Sequence, residues 1–172
     1  FVLLSGVAAR ISFERKTKKE LSIFLLTRGL WLIVLELTVI RFGFVFNLYY
    51  DFIIFQVIWV IGASMVILSA LLFLPARLIL IIGLVIVFGH NTFDGFRLQP
   101  GDTGYVVWTF VRQSGAFEFM PGSLFFVPYA LFPWLGILLT GFGLGAWYSS
   151  TFDADVRKKY LLRTGLLAVV LF

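Results

Sequence analysis

Long apolar runs separated by short polar connections make up most of this sequence of 172 residues. A helix needs about 20 apolar residues to cross a bilayer, since each residue adds only about 1.5 Å along the axis. The second, third and fifth runs reach this length unaided, the fourth needs residues at its ends, and the outer two are shorter. The pattern therefore predicts an all-α, polytopic transmembrane bundle of about six helices. The runs lie at residues 1–13, 21–46, 52–75, 78–88, 124–147 and 160–172.

The composition places this chain in the membrane class of proteins. Hydrophobic residues make up 60% of the sequence, charged residues make up 13%, and the mean hydropathy is +1.00. These values lie outside the range of soluble domains, so the lipid bilayer is the predicted solvent and first partner. The first apolar run opens without an initiator Met, and the last continues to Phe172. We therefore expect residues 1–172 to be an internal part of one transmembrane domain, with further helices before and after it.

Lysine and arginine side chains concentrate at one side of the predicted bundle. Of the 14 in the sequence, ten lie in or beside the connections at residues 14–20, 75–77 and 149–159. Arg97 and Arg112 lie on the opposite side. Because positively charged loops stay in the cytoplasm, the asymmetry predicts a multi-pass protein with its basic loops cytoplasmic. No basic stripe is left to bind nucleic acid.

The second run carries three charges, Arg28, Glu36 and Arg41. A carboxylate near mid-bilayer is costly unless it is paired, so Glu36 is either a buried polar tie between helices or a group with a direct role in chemistry. The two arginines are either interfacial anchors, through their long stems, or ligands for a substrate. We predict that all three charges face the inside of the bundle and serve one polar cavity.

The helical wheel limits how these charges share a face. Arg28 and Glu36 are about 80° apart, whereas Glu36 and Arg41 are about 140° apart on an ideal α-helix. One straight face does not hold all three. Arg41 therefore needs a partner on another element, and Asp51 and Asp94 are the nearest candidates by depth.

The fourth run ends in the sequence FGHNTFDG, which places polar groups at the predicted outer face. His90 and Asp94 are four residues apart, so on a continuous α-helix they share a face and the carboxylate orients the imidazole. We predict this polar pair beneath or beside residues 105–111. The alternative is a helix end whose polar side chains meet water, with a turn at Asp94 and Gly95. One histidine and one aspartate are too few ligands for a metal ion, so the sequence predicts no metal site.

Residues 94–122 form the longest connection, on the predicted outer side. A loop of this length usually carries structure or function of its own. Its segment YVVWTFV, residues 105–111, is apolar and aromatic but too short to span, so we expect it at the outer membrane interface. This segment is either a lid over a cavity or a surface connector.

The fifth run contains two prolines and several glycines. Pro128 and Pro133 predict kinks in its helix. The glycines predict a smooth face for close contact with other helices, and two of them have the small-xxx-small spacing. The glycines are Gly136, Gly141, Gly143 and Gly145.

Several segments resemble one family, the heparan-alpha-glucosaminide N-acetyltransferase-like membrane proteins of bacteria. The most specific likeness is a helix in which an arginine and a glycine are followed by a glutamate and a second arginine. A proline-tryptophan-glycine run supports it. The segments cover most of the chain and read FVLLSGVAAR, LTRGLWLIVLELTVIRFGFVFN, FQVIWVIGASM, GHNTFDG and YALFPWLGILLTGFGLG.

The resemblance implies a polytopic acyltransferase of the bacterial inner membrane. Such a protein takes an acetyl group from cytoplasmic acetyl-CoA and delivers it across the membrane to an amino sugar or another acceptor. Members of the family begin with an additional helix and loop, which carry the histidine regarded as catalytic. His90 therefore does not inherit that role by position.

Two classes of function follow. The leading hypothesis is an acetyltransferase with His90, Asp94 and Glu36 as catalytic residues. Arg41 and Arg28 would bind substrates, Arg41 in the same outward-facing pocket and Arg28 toward the side where a polyphosphate donor arrives. The second hypothesis is a non-catalytic accessory subunit of a larger membrane complex, whose aromatic surface, with 21 Phe and 5 Trp, contacts other subunits, lipids or pigments. A transporter is a weaker third hypothesis, because no inverted repeat is visible.

Overall fold

The computed structural model describes residues 1–171, so the end of the last apolar run, Phe172, lies outside the described residues. Within this range the chain forms seven helices and one sheet of three strands. The helices are α1 (Val2–Phe13), α2 (Lys18–Val45), α3 (Val57–Leu71), α4 (Ala76–Phe93), α5 (Tyr105–Val111), α6 (Leu131–Tyr148) and α7 (Ala154–Leu171). The strands are β1 (Phe52–Ile54), β2 (Gly115–Met120) and β3 (Ser123–Val127).

Three of the helices, α2, α4 and α6, are long and apolar enough to cross a membrane. The prediction of a helical fold is confirmed in its main feature, since most of the chain is helical, whereas its multiple crossing of a membrane stays a prediction. The short apolar segment in the longest connection forms the additional helix α5. The prediction that the third run makes a full span is wrong, because its first residues form β1 and leave only 15 residues for α3. The fifth run likewise begins as β3, and its helix starts only at Leu131.

Helix α6 lies at the centre of the bundle and packs against α1, α3 and α4, while α2 packs against α3. Its inward face is apolar, and packing against the neighbouring helices buries this face. The side chains of Leu138 and Leu139 are fully buried there, and Phe142 is almost so. The core cluster around them draws on every helix from α1 to α4.

The glycines of α6 allow this close packing. A Cβ atom at Gly141 would overlap the carbonyl oxygen of Leu3, and one at Gly136 would lie 2.6 Å from Ile86 Cγ2. The prediction of a smooth glycine face is therefore confirmed. The prediction of kinks is wrong, because Pro128 precedes the helix and Pro133 lies in its first turn, where an N–H group has no helical partner.

The sheet was not predicted, because its strands lie at the edges of runs that have the composition of membrane helices. Its order is β1-β3-β2, with β1 parallel to β3 and β2 antiparallel to β3. In this register Phe125 of the central strand β3 pairs with Ile53 of β1 on one side and with Phe117 of β2 on the other. A second, smaller core beneath it buries Ile53, Phe55, Tyr105, Phe117 and Val127. The sheet thus anchors the longest connection to the loop that follows α2.

The two ends of the bundle differ in chemistry. Arg10, Lys18, Pro75 and Phe142 line one cavity, so the α1–α2 connection, the α3–α4 connection and the last turns of α6 share an end, which we call the basic end. The sheet and α5 lie at the opposite end, which we call the sheet end. The predicted grouping of basic connections therefore agrees with the fold, and the side of the membrane that each end faces stays a prediction.

Candidate active site

A cleft of about 520 Å³ opens at the sheet end of the bundle. It lies where the last turn of α4, the loop that follows it, the end of α5 and the start of α6 meet. Its lining combines two arginines, a histidine, an aspartate and uncharged polar groups with several aromatic side chains. The polar and charged lining residues are His90, Asn91, Asp94, Arg97, Gln99, Arg112, Gln113 and Ser114.

Arg112 ties the two helices that flank the cleft. It follows the last residue of α5 and donates one hydrogen bond to the carbonyl oxygen of His90, at 2.7 Å, and another to the carboxylate of Asp94. Its side chain is only 11% exposed, whereas that of Asp94 is 60% exposed. The Arg112 guanidinium therefore forms part of the wall, and the Asp94 side chain is largely open to solvent.

His90 has a defined tautomer in this arrangement. Its Nδ1 lies 2.8 Å from the carbonyl oxygen of Val87. Because a carbonyl only accepts hydrogen bonds, Nδ1 carries the hydrogen, and a neutral ring then holds a lone pair on Nε2. The half-buried ring lines the cleft. His90 is thus equipped to accept a proton from a group bound there.

The predicted direct pair of His90 and Asp94 is wrong. Residues His90–Phe93 form a 3₁₀ turn with three residues per turn, so residues four apart point about 120° away from each other. Asp94 bonds to Arg112, and the His90 ring bonds to Val87. Arg112 links the two residues, because it also holds the His90 carbonyl. The predicted position beside residues 105–111 is confirmed, since Tyr105 lines the same cleft.

The loop after α4 is held in place by side chains at the end of α5. The amide of Gln113 pairs with the backbone of Leu98 in both directions, at 3.2 and 3.1 Å. The indole of Trp108 donates to the carbonyl of Phe96, and their rings meet edge to face at 5.3 Å. Helix α5 and the residue pair after it therefore fix the position of this loop. The hypothesis that α5 moves as a lid over the cleft stays a prediction.

An aromatic wall faces the polar groups of the cleft. It is lined by Trp134 at the start of α6, Phe93 at the end of α4 and Phe96 in the loop that follows. Trp134 is supported by Tyr129, whose ring centroid lies 5.4 Å from its own. A few fixed polar groups opposite aromatic faces are typical of sites for small organic ligands, including those with a ring.

Glu36 is not among the residues that line the cleft. Its side chain is 1% exposed, and its two oxygens accept the backbone N–H groups of Gln56, at 3.2 Å, and Trp59, at 3.0 Å. These groups belong to the start of α3, where the helix leaves its first N–H groups without partners. Glu36 thus caps α3 from α2, and the geometry favours the interpretation of a buried polar tie.

Arg41 is also buried away from the cleft, with 1% of its side chain exposed. It donates to the carbonyl and side-chain oxygens of Asn47, at 2.6 and 2.9 Å, and to the carbonyl of Phe52, at 3.2 Å. The predicted partner Asp51 is confirmed, with an N–O distance of 3.5 Å, and the Tyr50 ring covers the guanidinium at 4.1 Å. The donors of Arg41 hold the loop that leads into β1, whereas its proposed contact with substrate stays a prediction.

A π-helical turn explains how Glu36 and Arg41 come to share a buried face. Residues Glu36–Ile40 form this turn in the middle of α2. Its hydrogen bonds run from residue i to i+5, so residues five apart lie nearly above each other. The angle between Glu36 and Arg41 around the helix axis is therefore much smaller than the 140° of an ideal α-helix. The two side chains are buried together but have separate partners. The four residues predicted to line one outward-facing pocket, Glu36, Arg41, His90 and Asp94, therefore do not share a pocket.

Arg28 is exposed, so the prediction that all three charges face one cavity is wrong for this residue. The buried stripe of this part of α2 consists of Leu21, Leu25 and Gly29. Arg28 lies outside that stripe, about 100° around the helix from Gly29, and its guanidinium lies over the ring of Phe24, at 4.7 Å from the centroid. This position agrees with the alternative of an interfacial anchor.

The comparison with protein families decides the assignment. The sequence model of heparan-alpha-glucosaminide N-acetyltransferase, catalytic, matches residues 1–171. The chain belongs to this family. The match supports an acetyltransferase-type function for this heparan-alpha-glucosaminide N-acetyltransferase family member. No curated protein and no solved structure matches the chain.

Sequence reasoning missed part of the cleft of this family member. Arg112, Gln113 and Trp134 line it, yet none of them was a predicted site residue. A signal existed for Arg112, which is one of two cations predicted on the outer side. No signal pointed to Gln113, because its role depends on the loop that folds back over α5.

Proposed function

We propose that this chain is part of a membrane acetyltransferase that transfers an acetyl group from acetyl-CoA to the amine or hydroxyl of a sugar-like acceptor bound in the cleft. The observation that carries the proposal is the His90 ring, because His90 lines the cleft and its Nδ1 is fixed by the Val87 carbonyl, which leaves the lone pair of the neutral ring on Nε2. The family match supports the reaction type. The aromatic wall suits a sugar ring in the acceptor.

The chemistry needs one proton acceptor and one leaving group. As the acceptor nitrogen or oxygen forms its bond to the acetyl carbon, its proton passes to His90 Nε2. The carbon–sulfur bond of the thioester breaks, and the thiolate of coenzyme A takes this proton from His90 Nε2 and leaves as the thiol, which returns His90 to its neutral form. Asp94 and Arg112 position the turn that carries His90, through the hydrogen bond from Arg112 to the His90 carbonyl.

The proposed setting is a bacterial inner membrane with the basic end in the cytoplasm and the sheet end outside. The excess of lysine and arginine at the basic end supports this orientation. The acetyl donor would then approach from the basic end and the acceptor from the sheet end. The lipid bilayer surrounds the bundle, and other membrane subunits are partners only if the chain is an accessory protein.

The test is acetyl transfer by the full-length protein in membrane vesicles, with acetyl-CoA supplied on one side and a panel of amino sugars and other acceptors on the other. Substituting His90→Ala should lower kcat by about 100-fold or more, because it removes the proton acceptor. Thr92→Ala is the matched control. Thr92 lies on the same turn but bonds only to the Gly89 carbonyl and does not line the cleft.

Two results would contradict the proposal. An unchanged kcat in His90→Ala would remove His90 from the reaction. The absence of hydrolysis and of transfer to every acceptor, together with purification in fixed stoichiometry with other chains, would favour an accessory subunit.

A further inference from the structure

A short connection carries one side of the aromatic wall of the cleft. Residues 128–130 join β3 to α6, and Pro128 and Ala130 of this connection line the cleft together with Trp134 of α6. The connection lies beyond the last residue pair of the sheet, so strand pairing does not hold it. Its position therefore depends on side chains that belong to other elements.

Two side-chain donors hold the carbonyl groups of this connection. The hydroxyl of Ser114 donates to the carbonyl oxygen of Pro128, at 2.8 Å, and the indole N–H of Trp59 donates to that of Tyr129, at 3.2 Å. Ser114 lines the cleft itself, whereas Trp59 lies in the first turn of α3 and is not among the lining residues. Trp59 thus contacts the wall segment without contributing to the lining.

The direction of the Trp59 indole is fixed by three neighbours. Its backbone N–H donates to the carboxylate of Glu36, at 3.0 Å. Its ring meets the ring of Phe55 edge to face at 5.7 Å, and that of Phe110, in α5, at 5.4 Å. Because aromatic rings in these arrangements restrict the rotation of the indole, its N–H group stays directed toward Tyr129.

The Tyr129 position determines that of Trp134. The centroids of the two rings are 5.4 Å apart and their planes are inclined by 59°. Tyr129 also precedes Ala130, the residue that caps the start of α6. A shift of the Tyr129 carbonyl would therefore move both the ring that supports Trp134 and the first turn that carries it.

We propose that Trp59 is a positioning residue for acceptor binding, an inference that rests on the proposed function. Through Tyr129 it holds the Trp134 indole at the angle at which its face packs against the apolar face of a sugar ring. His90 lies on a different element and is held by Val87 and Arg112. Trp59 therefore affects how tightly the acceptor binds and leaves the proton transfer unchanged.

The substitution Trp59→Phe in the full-length protein tests this role, because phenylalanine keeps an aromatic ring and removes the N–H donor. The KM of the acceptor should rise by about threefold to tenfold, the effect of one lost hydrogen bond. The values of kcat and of the KM of acetyl-CoA should stay within about twofold of the parent. The Kd of glucosamine, titrated without acetyl-CoA, should rise by the same factor as the acceptor KM.

Trp31→Phe is the matched control. It is the same substitution at an indole of α2 that is 61% exposed and does not line the cleft. The acceptor KM and the Kd of glucosamine should equal those of the parent.

A double-mutant cycle separates positioning from a general loss of stability. If Trp59 acts through Trp134, adding Trp59→Phe to Trp134→Leu should change the Kd of glucosamine by less than about twofold, because the indole that it positions is absent. Tyr129→Leu is a second variant, which keeps the backbone carbonyl and removes the ring beside Trp134. It should raise the Kd of glucosamine by about threefold or more, and it tests the same contact if Trp59→Phe does not fold.

The outcomes distinguish this inference from the proposed function. An unchanged Kd in Trp59→Phe, an equal rise of Kd with and without the Trp134 indole, or no binding of glucosamine to the parent would overturn the inference. Acetyl transfer that proceeds without this coupling would leave the proposed function standing alone. Absence of transfer, together with a Kd of glucosamine that depends on Trp59 through Trp134, would refute the proposed function and support the positioning role.

Discussion

At the scale of single residues, two buried charges of α2 organise the chain around them. Glu36 caps the start of α3, and Arg41 holds the loop that enters β1. Both side chains are 1% exposed, and breaking such contacts leaves buried groups without partners. The cost of burial is met by several hydrogen bonds to backbone groups that would otherwise be unsatisfied.

A pair of substitutions at Glu36 tests the cap. Glu36→Leu should destabilise the protein strongly, because it strands the N–H groups of Gln56 and Trp59, at about 1–3 kcal/mol for each buried group. Glu36→Gln should cost less, since its carbonyl oxygen still accepts one hydrogen bond. Thermal unfolding in detergent measures both. Thr38→Val is the control, as Thr38 is exposed and bonds within its own helix. Equal Tm values for the leucine variant and the parent would show that the carboxylate is only tolerated.

We expect Arg112 to affect the reaction by fixing the position of the turn that carries His90. Arg112→Ala should lower kcat/KM by about tenfold to 100-fold, because the turn that carries His90 loses its tie to α5 and shifts relative to the acceptor. Steady-state transfer assays give the value. Arg97→Gln removes a similar charge from the same cleft and should have a smaller effect. If the two variants lose equal activity, the charge of Arg112 matters and its hydrogen bonds to the turn do not.

At the scale of elements, α6 determines how closely the bundle packs. Its glycines bring the backbone of α1 against its own, so that contacts form between main chains rather than between side chains. The π turn in α2 is the second feature at this scale, because it places Glu36 and Arg41 on one face. Both features depend on helix geometry more than on the hydrophobicity of the side chains.

The close contact at Gly141 predicts that a glycine-to-alanine substitution destabilises the protein in α6 but not in α7. Gly141→Ala should destabilise the protein by about 1–3 kcal/mol, because the added methyl overlaps the Leu3 carbonyl and pushes α1 away. Gly165→Ala in α7 has open space around it and should be neutral or slightly stabilising through helix propensity. The Tm values of the two variants, each compared with that of the parent, test both predictions. A Gly141→Ala variant as stable as the parent would mean that α1 and α6 do not touch at this point.

At the scale of the whole molecule, the bundle separates two kinds of chemistry. The sheet end holds the cleft with His90 and the aromatic wall, and the basic end holds the cavity with Arg10 and Lys18. A transfer reaction across a membrane needs a donor site and an acceptor site at different depths. Two cavities at opposite ends of the bundle are the arrangement that the proposed function requires.

The orientation is testable by labelling. Single cysteines at Lys16 and at Gly101 should react with an impermeant thiol reagent from opposite sides of the membrane, because the first lies at the basic end and the second follows α4 at the sheet end. The chain contains no cysteine of its own, so residues 1–172 add no background. Labelling of both positions from the same side would reject the topology.

The sequence by itself determined the class of fold and the grouping of charges. Apolar length and hydropathy are properties of consecutive residues, so they located the runs that contain α2, α4 and α6 without any knowledge of contacts. They wrongly gave the third run a full span. The cost of an unpaired carboxylate predicted that Glu36 is buried. Depth along the chain gave Asp51 and Asp94 as candidate partners of Arg41, and the structure selects Asp51. The glycine face of α6 also followed from composition alone.

Only the tertiary structure decided which polar groups meet. The π turn rotates Arg41 onto the face of Glu36, and the 3₁₀ turn rotates Asp94 away from His90, because each changes the number of residues per turn that a helical wheel assumes. The strands β1 and β3 pair across more than 70 positions in sequence, so no local pattern showed them. The role of Arg112 arises in the same way, since the cleft exists only where four separate segments pack together.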